Sequence, residues 1–213
     1  MERGRISEFI KQNIETDGKL NELTKKASLE GVPVIREETE AFLRCVVVLT
    51  KPRRILELGT ATGYSSIMMA RADESREVMI DTVEDWEIRI PAAEANIREA
   101  GLSGRINLIK GDALEIMKDL EASYDLVFID AAKGQYPDYL AETMRLTRKG
   151  SVIIADNILQ GGEIMESKFI VERRDRTIHK RMREFLDMVS NDERLDTSIL
   201  PVGDGITFSV RCL

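Results

Sequence analysis

Histidine, cysteine and long apolar runs are scarce in this chain, and each shortage excludes a class of protein. The 213 residues include one histidine and two cysteines, too few for a Cys/His zinc site or a disulfide framework. The longest apolar run, residues 45–49, is far below the roughly 20 residues that span a membrane. We therefore expect a cytoplasmic protein without a membrane partner, whose Cys45 and Cys212 are buried thiols.

Charge and hydrophobicity are ordinary for a globular protein. Hydrophobic residues make up 43% and charged residues 32%, which suffices for a full core. The net charge of −7 argues against a protein whose main task is to bind a phosphate backbone. His179 lies in a charged segment, so we expect it to be solvent-exposed. Four methionines are expected in the core, at positions 68, 69, 79 and 117.

The length predicts a single domain over residues 1–213, with a helical extension over 1–50 and an α/β core over 51–213. Ile6, Phe9, Ile10 and Ile14 recur at helical spacing and predict a first helix. Asp17 would cap a second helix that ends near residue 29. A third is expected over about 37–49, before the break at Lys51-Pro52.

From residue 54 onward, short apolar runs alternate with segments of helical period. The runs cover 55–58, 78–83, 106–109, 126–129 and 152–155, and the helical segments cover 65–72, 87–100, 114–121 and 137–146. A long charged helix is expected over 168–190, followed by strands over 197–200 and 206–211. This order predicts an α/β fold: a doubly wound, mostly parallel seven-stranded sheet that ends in an antiparallel hairpin.

The first predicted strand carries an acidic residue near its end, each of the next four is followed by one, and the fifth also by an asparagine. In strand order these are Glu57, Glu84, Asp112, Asp130 and Asp156-Asn157. Any one of them alone could simply cap the next helix. Ligands of open α/β sheets bind outside the carboxyl ends of the strands. Five acids in succession therefore favour a ligand site at this edge.

A glycine loop, Gly59-Thr60-Ala61-Thr62-Gly63, follows the first strand. It has neither the G-x-G-x-x-G spacing of dinucleotide binders nor the G-K-[ST] ending of a phosphate loop. Glycine lets the backbone approach a ligand closely, and Glu84 stands where it could accept both hydroxyls of a ribose. The pattern suits a nucleoside without phosphates, such as S-adenosylmethionine, although a plain tight turn also explains it.

Hard oxygen ligands come from the fourth and fifth predicted strands. Asp130, Asp156 and Asn157 would suit Mg²⁺, with positions left for water or substrate. Lys133 follows in the loop after the fourth strand. A cation beside it would disfavour its ammonium form, and a neutral lysine is a competent general base.

Four segments together resemble the class I cation-dependent O-methyltransferases, which include the catechol and caffeoyl-CoA enzymes. They are Arg54–Ser66, Phe128–Lys133, Asp156-Asn157 and Leu200–Ile206. The resemblance implies a Rossmann-like methyltransferase fold, S-adenosylmethionine as cofactor, a divalent cation (Mg²⁺, or Mn²⁺ or Ca²⁺) and a homodimer. The implied reaction is O-methylation of a catechol-like, vicinal-hydroxyl small molecule.

The resemblance also implies roles for individual residues. Lys133 would be the general base, and Asp130, Asp156 and Asn157 the metal ligands. The implied cofactor-binding residues are Ile35, Glu57, Gly59, Thr60, Gly63, Tyr64, Ser65, Glu84, Asp112, Ala113 and Asp130. The chain departs from the family where Ala132 replaces a frequent aspartate, and where residues 158–162 lack the aromatic of the plant enzymes. A caffeoyl-CoA substrate therefore does not follow.

Three alternatives stay open on the sequence. The basic segment 168–183 could follow the phosphates of a transfer RNA, with a 5-hydroxyuridine as methyl acceptor. The plainer interpretation of that segment is a solvated helix with ion pairs. A nicotinamide dehydrogenase on a similar sheet is disfavoured by the loop spacing. A non-catalytic dimeric module that kept the fold is disfavoured by the intact set of Asp130, Lys133, Asp156 and Asn157.

Overall fold

The computed structural model describes residues 2–14, 18–29, 31–32, 34–73, 75, 77–167 and 169–213. Three helices come first, as predicted: α1 (Glu2–Asn13), α2 (Gly18–Leu29) and α3 (Glu37–Thr50). Lys51 ends α3 in the left-handed conformation and donates its backbone N–H to Val47 O. The proposed cap at Asp17 lies outside the described residues.

Strands and helices then alternate as the apolar pattern predicts. The order is β1 (Arg54–Leu58), α4 (Tyr64–Ala72), β2 (Met79–Glu84), α5 (Ile90–Glu99), β3 (Ile106–Lys110), α6 (Ala113–Asp119), β4 (Tyr124–Ile129), α7 (Tyr136–Leu146) and β5 (Thr147–Ala155). After a 3₁₀ segment (Gln160–Met165) come α8 (Arg176–Asn191), β6 (Leu195–Leu200) and β7 (Ile206–Arg211).

The seven strands form one sheet in the order β3-β2-β1-β4-β5-β7-β6. Strands β1 to β5 pair in parallel, and β7 is antiparallel to both β5 and β6. The order reverses between β1 and β4, which is where open α/β sheets bind their ligands. The carboxyl ends of β1 to β5 and the start of β7 thus meet at one edge, named here the ligand edge.

Both faces of the sheet are buried, which explains the near-continuous apolar strands. Successive side chains of a strand point to opposite faces. In β1, Ile55 packs into the core on one face and Leu56 into the core on the other. In β4, Phe128 and Val127 divide in the same way. Among the described residues, no helix has the length and apolarity to cross a membrane.

The charged helix differs from its prediction in extent and in its histidine. Helix α8 begins at Arg176, because residues 169–175 form turns. His179 was expected to be exposed and is buried, with 2% of its surface accessible. It begins the inward stripe of α8 that continues through Met182, Phe185 and Val189. The expectation rested on the charged residues around His179 and overlooked this stripe, whose residues recur at helical spacing.

Two expectations about sulfur-bearing side chains are also wrong. Cys45 is exposed, because it lies on the outer face of α3, whose inner face carries Leu43, Val46 and Val47. Cys212 is only partly buried. Met79, the first residue of β2, is 46% exposed. The methionines at 68, 69 and 117 are buried as expected.

The sheet brings the glycine loop against the end of β4. A Cβ on Gly59, whose φ is +95°, would lie 2.1 Å from the backbone oxygen of Asp130. Gly150 has a similar φ of +88° with nothing within 4 Å of its Cβ position. We expect Gly59→Ala to lower the free energy of unfolding by about 3 kcal/mol, from backbone strain and overpacking together.

Gly150→Ala is the matched control, because it introduces the same strain without the clash. Urea denaturation of both variants should show the larger loss for Gly59→Ala. Equal losses would contradict the close approach of the loop to β4.

Candidate active site

A cavity of about 650 Å³ opens at the ligand edge. It follows the strand order, with Glu84, Trp86, Gly111 and Ala113 at the β2–β3 end and Asn157, Gln160 and Asp204 at the β5–β7 end. The remaining predicted residues that line it are Ile35, Gly59, Thr60, Tyr64, Ser65, Asp130 and Lys133. Glu57, Gly63, Asp112 and Asp156 are not part of its lining.

The glycine loop forms the floor between β1 and β2. The backbone N–H groups of Gly59 and Thr60 both donate to Val83 O, at 3.0 and 3.1 Å. Gly63 has a φ of +81° and caps the start of α4. The loop therefore turns directly from strand to helix, which exposes backbone to the cavity.

Glu84 joins the glycine loop to the end of β2. Its Oε2 accepts the Ala61 N–H at 2.6 Å, and its Oε1 accepts the Trp86 N–H at 3.0 Å. Each oxygen keeps a second lone pair, so the carboxylate can also accept hydroxyl groups. The ribose-binding role of Glu84 stays a prediction.

Glu57 lies beneath the loop and is fully buried. Its Oε2 accepts the hydroxyls of Ser66 and Thr82, both at 2.5 Å, and its Oε1 has no partner among the described residues. Thr82 is also 2.6 Å from the hydroxyl of Thr60. Burial raises the pKa of Glu57 to about 7; the hydroxyls oppose this, and the charge of Asp130 adds to it.

Asp112 and Ala113 begin α6. The Asp112 side chain accepts the backbone N–H of Glu115 at 3.0 Å, so it is a helix cap in this structure. Trp86, which is 48% exposed, provides an aromatic surface in the same half of the cavity, and the Arg89 guanidinium lies 4.1 Å from its ring centroid.

Lys133 lies among the residues predicted to hold a cation. Its Nζ is 2.9 Å from Asp130 Oδ1, 3.0 Å from Asn157 Oδ1 and 2.9 Å from the hydroxyl of Tyr136. The buried Tyr136 hydroxyl also donates to Asp156 O at 3.0 Å. Burial, followed by the charges of Asp130 and Asp156, raises the pKa of Tyr136 well above its ordinary value, so the phenol stays protonated.

Asp156 is almost wholly buried behind the cavity wall. Its Oδ1 accepts the N–H of Asn157 at 2.7 Å, and its Oδ2 has no partner among the described residues. Burial, and then the charge of Asp130, raises its pKa to about 7. Asn157 has a φ of +58°, which turns the chain at the end of β5. No group of three His, Cys, Asp or Glu side chains forms a metal site within the part of the chain that the structure describes.

Two arginines of the basic segment form ion pairs with acidic residues of this protein, where the RNA hypothesis needs free cations. Arg174 pairs with Glu172 and Asp175. Arg181 pairs with Asp138 and Glu184, and donates to Gly134 O. Lys168 lies outside the described residues. The contacts match the plainer interpretation, a solvated helix with ion pairs.

Three residues at the β5–β7 end of the cavity are missing from the sequence-based site. They are Arg36, Gln160 and Asp204. Asp204 belongs to the Leu200–Ile206 segment and accepts the Gly161 N–H with both carboxylate oxygens, at 2.9 and 3.1 Å. The match of this segment to the family motif could have identified Asp204 from the sequence. No sequence signal pointed to Arg36 or Gln160, because only the folded chain brings them to this edge.

Comparison with known proteins agrees with this geometry. The sequence profile of an O-methyltransferase family matches residues 9–212. A catechol O-methyltransferase of Niastella koreensis is 32% identical over 86% of this chain and 83% of its own length.

Two solved structures show the same fold with a cofactor or its product bound. An O-methyltransferase from Bacillus cereus in complex with SAH is 27% identical, with a TM-score of 0.85 and 97% of each chain covered. TomG from Streptomyces achromogenes, an O-methyltransferase involved in tomaymycin synthesis, was solved with SAM. It is 26% identical, with a TM-score of 0.85 and 100% of each chain covered.

The chain therefore belongs to the class I O-methyltransferase family. It is an S-adenosylmethionine-dependent O-methyltransferase with a Rossmann-like sheet. Membership of this family argues against the two alternatives of a nicotinamide dehydrogenase and a non-catalytic module.

The raised pKa of Glu57 makes stability depend on pH. Unfolding returns the pKa from about 7 to 4.5, so the folded state holds the proton more tightly. The free energy of unfolding should then fall as the pH rises from 4.5 to 7 and level off above. We expect Glu57→Gln to gain stability relative to wild type over this window, by up to about 3 kcal/mol.

Urea denaturation at pH 5 and pH 8 measures this difference. Glu121→Gln, at an exposed position before β4, is the control and should track the wild type at both pH values. A stability difference between Glu57→Gln and wild type that is the same at both pH values would contradict the burial of a titrating carboxyl.

Proposed function

We propose that this enzyme methylates a catechol-like small molecule with vicinal hydroxyls, with a divalent cation at Asp130, Asp156 and Asn157 and with Lys133 as general base. The observation that carries the proposal is the meeting of Lys133 Nζ with Asp130 and Asn157 on the cavity wall. The β2–β3 half of the cavity would hold the adenosine, near Glu84 and Trp86. The β5–β7 half would hold the acceptor.

The buried Asp156 indicates whether the site is suited to a divalent cation. Its Oδ2 is buried without a partner among the described residues, and a buried unpaired carboxylate oxygen is costly. Its pKa is raised partly by Asp130, so the two carboxylates repel one another. Two carboxylates and an amide oxygen suit a hard dication such as Mg²⁺. Asp130, Asp156 and Asn157 therefore suit a divalent cation.

When bound, the dication would lower the pKa of an acceptor hydroxyl and stabilise its oxyanion. Lys133, in its neutral form, would take the hydroxyl proton and become an ammonium group beside Asp130. The hydrogen bond with Tyr136 holds Nζ in place for this transfer. The acceptor oxygen then forms a bond to the methyl carbon as the carbon–sulfur bond breaks. The carboxylates of the ligand edge would favour binding of the positive sulfonium, which leaves this step as a neutral thioether.

A transfer RNA acceptor would use the same chemistry but gains no support from the paired arginines of the basic segment. The homodimer and the cytoplasmic location implied by the resemblance stay predictions. Cofactor binding also stays a prediction for five residues that line the cavity: Ile35, Thr60, Tyr64, Ser65 and Ala113.

Asp156→Asn tests the cation. It removes one of the two carboxylates of the proposed site while keeping the shape, so we expect calorimetric Mg²⁺ affinity to fall and kcat to drop about 100-fold or more. Circular dichroism should be unchanged. Asp119→Asn, at the exposed end of α6, is the control for losing one aspartate charge. Full activity of the wild type in excess chelator would overturn the cation's role.

Lys133→Met tests the general base. The apolar side chain has a similar length but accepts no proton, so we expect the single-turnover rate to fall roughly 10²–10⁴-fold. Cofactor affinity should change little, as measured through quenching of Trp86, the chain's one tryptophan, which lines the cavity. Lys149→Met, at an exposed position, should behave as wild type. An unchanged single-turnover rate in Lys133→Met would reject the base.

A further inference from the structure

An arginine at the mouth of the cavity has no role in the proposed chemistry. Arg36 precedes α3 and lines the cavity wall. Its guanidinium donates to Gly203 O at 3.3 Å, in the turn between β6 and β7. This contact places it in the β5–β7 half, where the acceptor would lie. The other arginine of the wall, Arg89, packs on Trp86 in the opposite half.

Arg36 has no ion pair among the described residues. Other arginines do: Arg54 pairs with Asp81, and Arg105 pairs with Asp73. A guanidinium has five N–H donors in a planar fork, and the hydrogen bonds of the described residues use one of them. Arg36 is exposed, so the remaining donors can reach a ligand.

The stem of Arg36 is held by the turn that it contacts. A Cβ on Gly203, whose φ is +57°, would lie 3.7 Å from both Cβ and Cδ of Arg36 and 2.4 Å from the hydroxyl of Thr39. The stem of Arg36 thus lies beside this turn, and the approach that requires a glycine at 203 is the one to Thr39. A side chain held in this way loses less entropy when it binds a ligand.

Among the acids near Arg36, Asp204 and Glu40 accept hydrogen bonds from other groups. Asp204, next to Gly203, accepts the N–H of Gly161 with both oxygens. Glu40, in the first turn of α3, accepts the hydroxyl of Tyr64 at 2.6 Å. Neither acid forms an ion pair with Arg36 among the described residues, so the remaining guanidinium donors stay available beside the cavity.

We propose that Arg36 binds a carboxylate on the methyl acceptor, so that the preferred acceptor is an aromatic acid with vicinal hydroxyls. Arginine and a carboxylate form paired, charge-assisted hydrogen bonds. The two hydroxyls lie toward Asp130 and Asn157, and the carboxylate lies at the mouth against Arg36. This assignment rests on the proposed function.

The test compares each acid with its own amide, which has the same ring and no charge. The pairs are 3,4-dihydroxybenzoate with 3,4-dihydroxybenzamide, and 3,4-dihydroxycinnamate with its primary amide. For at least one pair, the wild type should have the higher kcat/KM for the acid. In Arg36→Met, the ratio of acid to amide should fall roughly 10- to 100-fold through the KM of the acid.

Two further variants sharpen the result. Arg36→Lys keeps the charge without the fork and should retain part of the ratio. Arg98→Met, on α5 and outside this cavity, should keep the wild-type ratio. A ratio that is unchanged in Arg36→Met, or a loss that appears in kcat for acid and amide alike, would overturn the carboxylate site.

The two proposals fail in different ways. Methylation of acids and amides with equal kcat/KM by the wild type would leave the catechol-like reaction standing and remove the role of Arg36. If the wild type methylates none of the four compounds in the presence of Mg²⁺, while SAM still quenches Trp86, both proposals fall. Methylation of 5-hydroxyuridine 5′-monophosphate in preference to every acid would overturn the carboxylate in favour of a phosphate.

Discussion

Burial of carboxylates is the constraint on which the ligand edge depends. Glu57 and Asp156 are buried at the ends of two strands, and burial, with a further contribution from the charge of Asp130, raises the pKa of both. Parallel strands deliver their carboxyl ends to one edge, so these groups cannot move apart without breaking the sheet. Their negative charge must be balanced in place by protons, hydrogen bonds or cations.

The structure balances this charge differently on the two sides of Asp130. Beneath the glycine loop, hydroxyl groups donate to Glu57. Between β4 and β5, Lys133 Nζ donates hydrogen bonds to Asp130 and Asn157. In the proposed function, a sulfonium cofactor would add positive charge at the same edge, and methyl transfer would remove it. The carboxylates that are costly to bury would then also favour binding of the charged cofactor.

Close packing gives this edge its geometry. The backbone of Gly59 approaches Asp130 too closely for any side chain, so the glycine loop and the predicted cation site share a wall. The Tyr136 hydroxyl contacts both Lys133 and the carbonyl of Asp156, which connects the loop after β4 with the end of β5. A change at one of these positions is therefore expected to affect both halves of the cavity.

Local patterns in the sequence determined the order of the strands and helices and the acid at each strand end. Apolar runs, glycine turns and motif spacing depend on near neighbours in the chain, so β1 to β5 and Asp130, Lys133 and Asn157 could be predicted from them. The burial of His179, the exposure of Cys45 and the place of Arg36 at the cavity mouth were decided only by the tertiary structure. Each depends on which face of a helix meets a partner that is distant in sequence, and periodicity alone does not specify that partner.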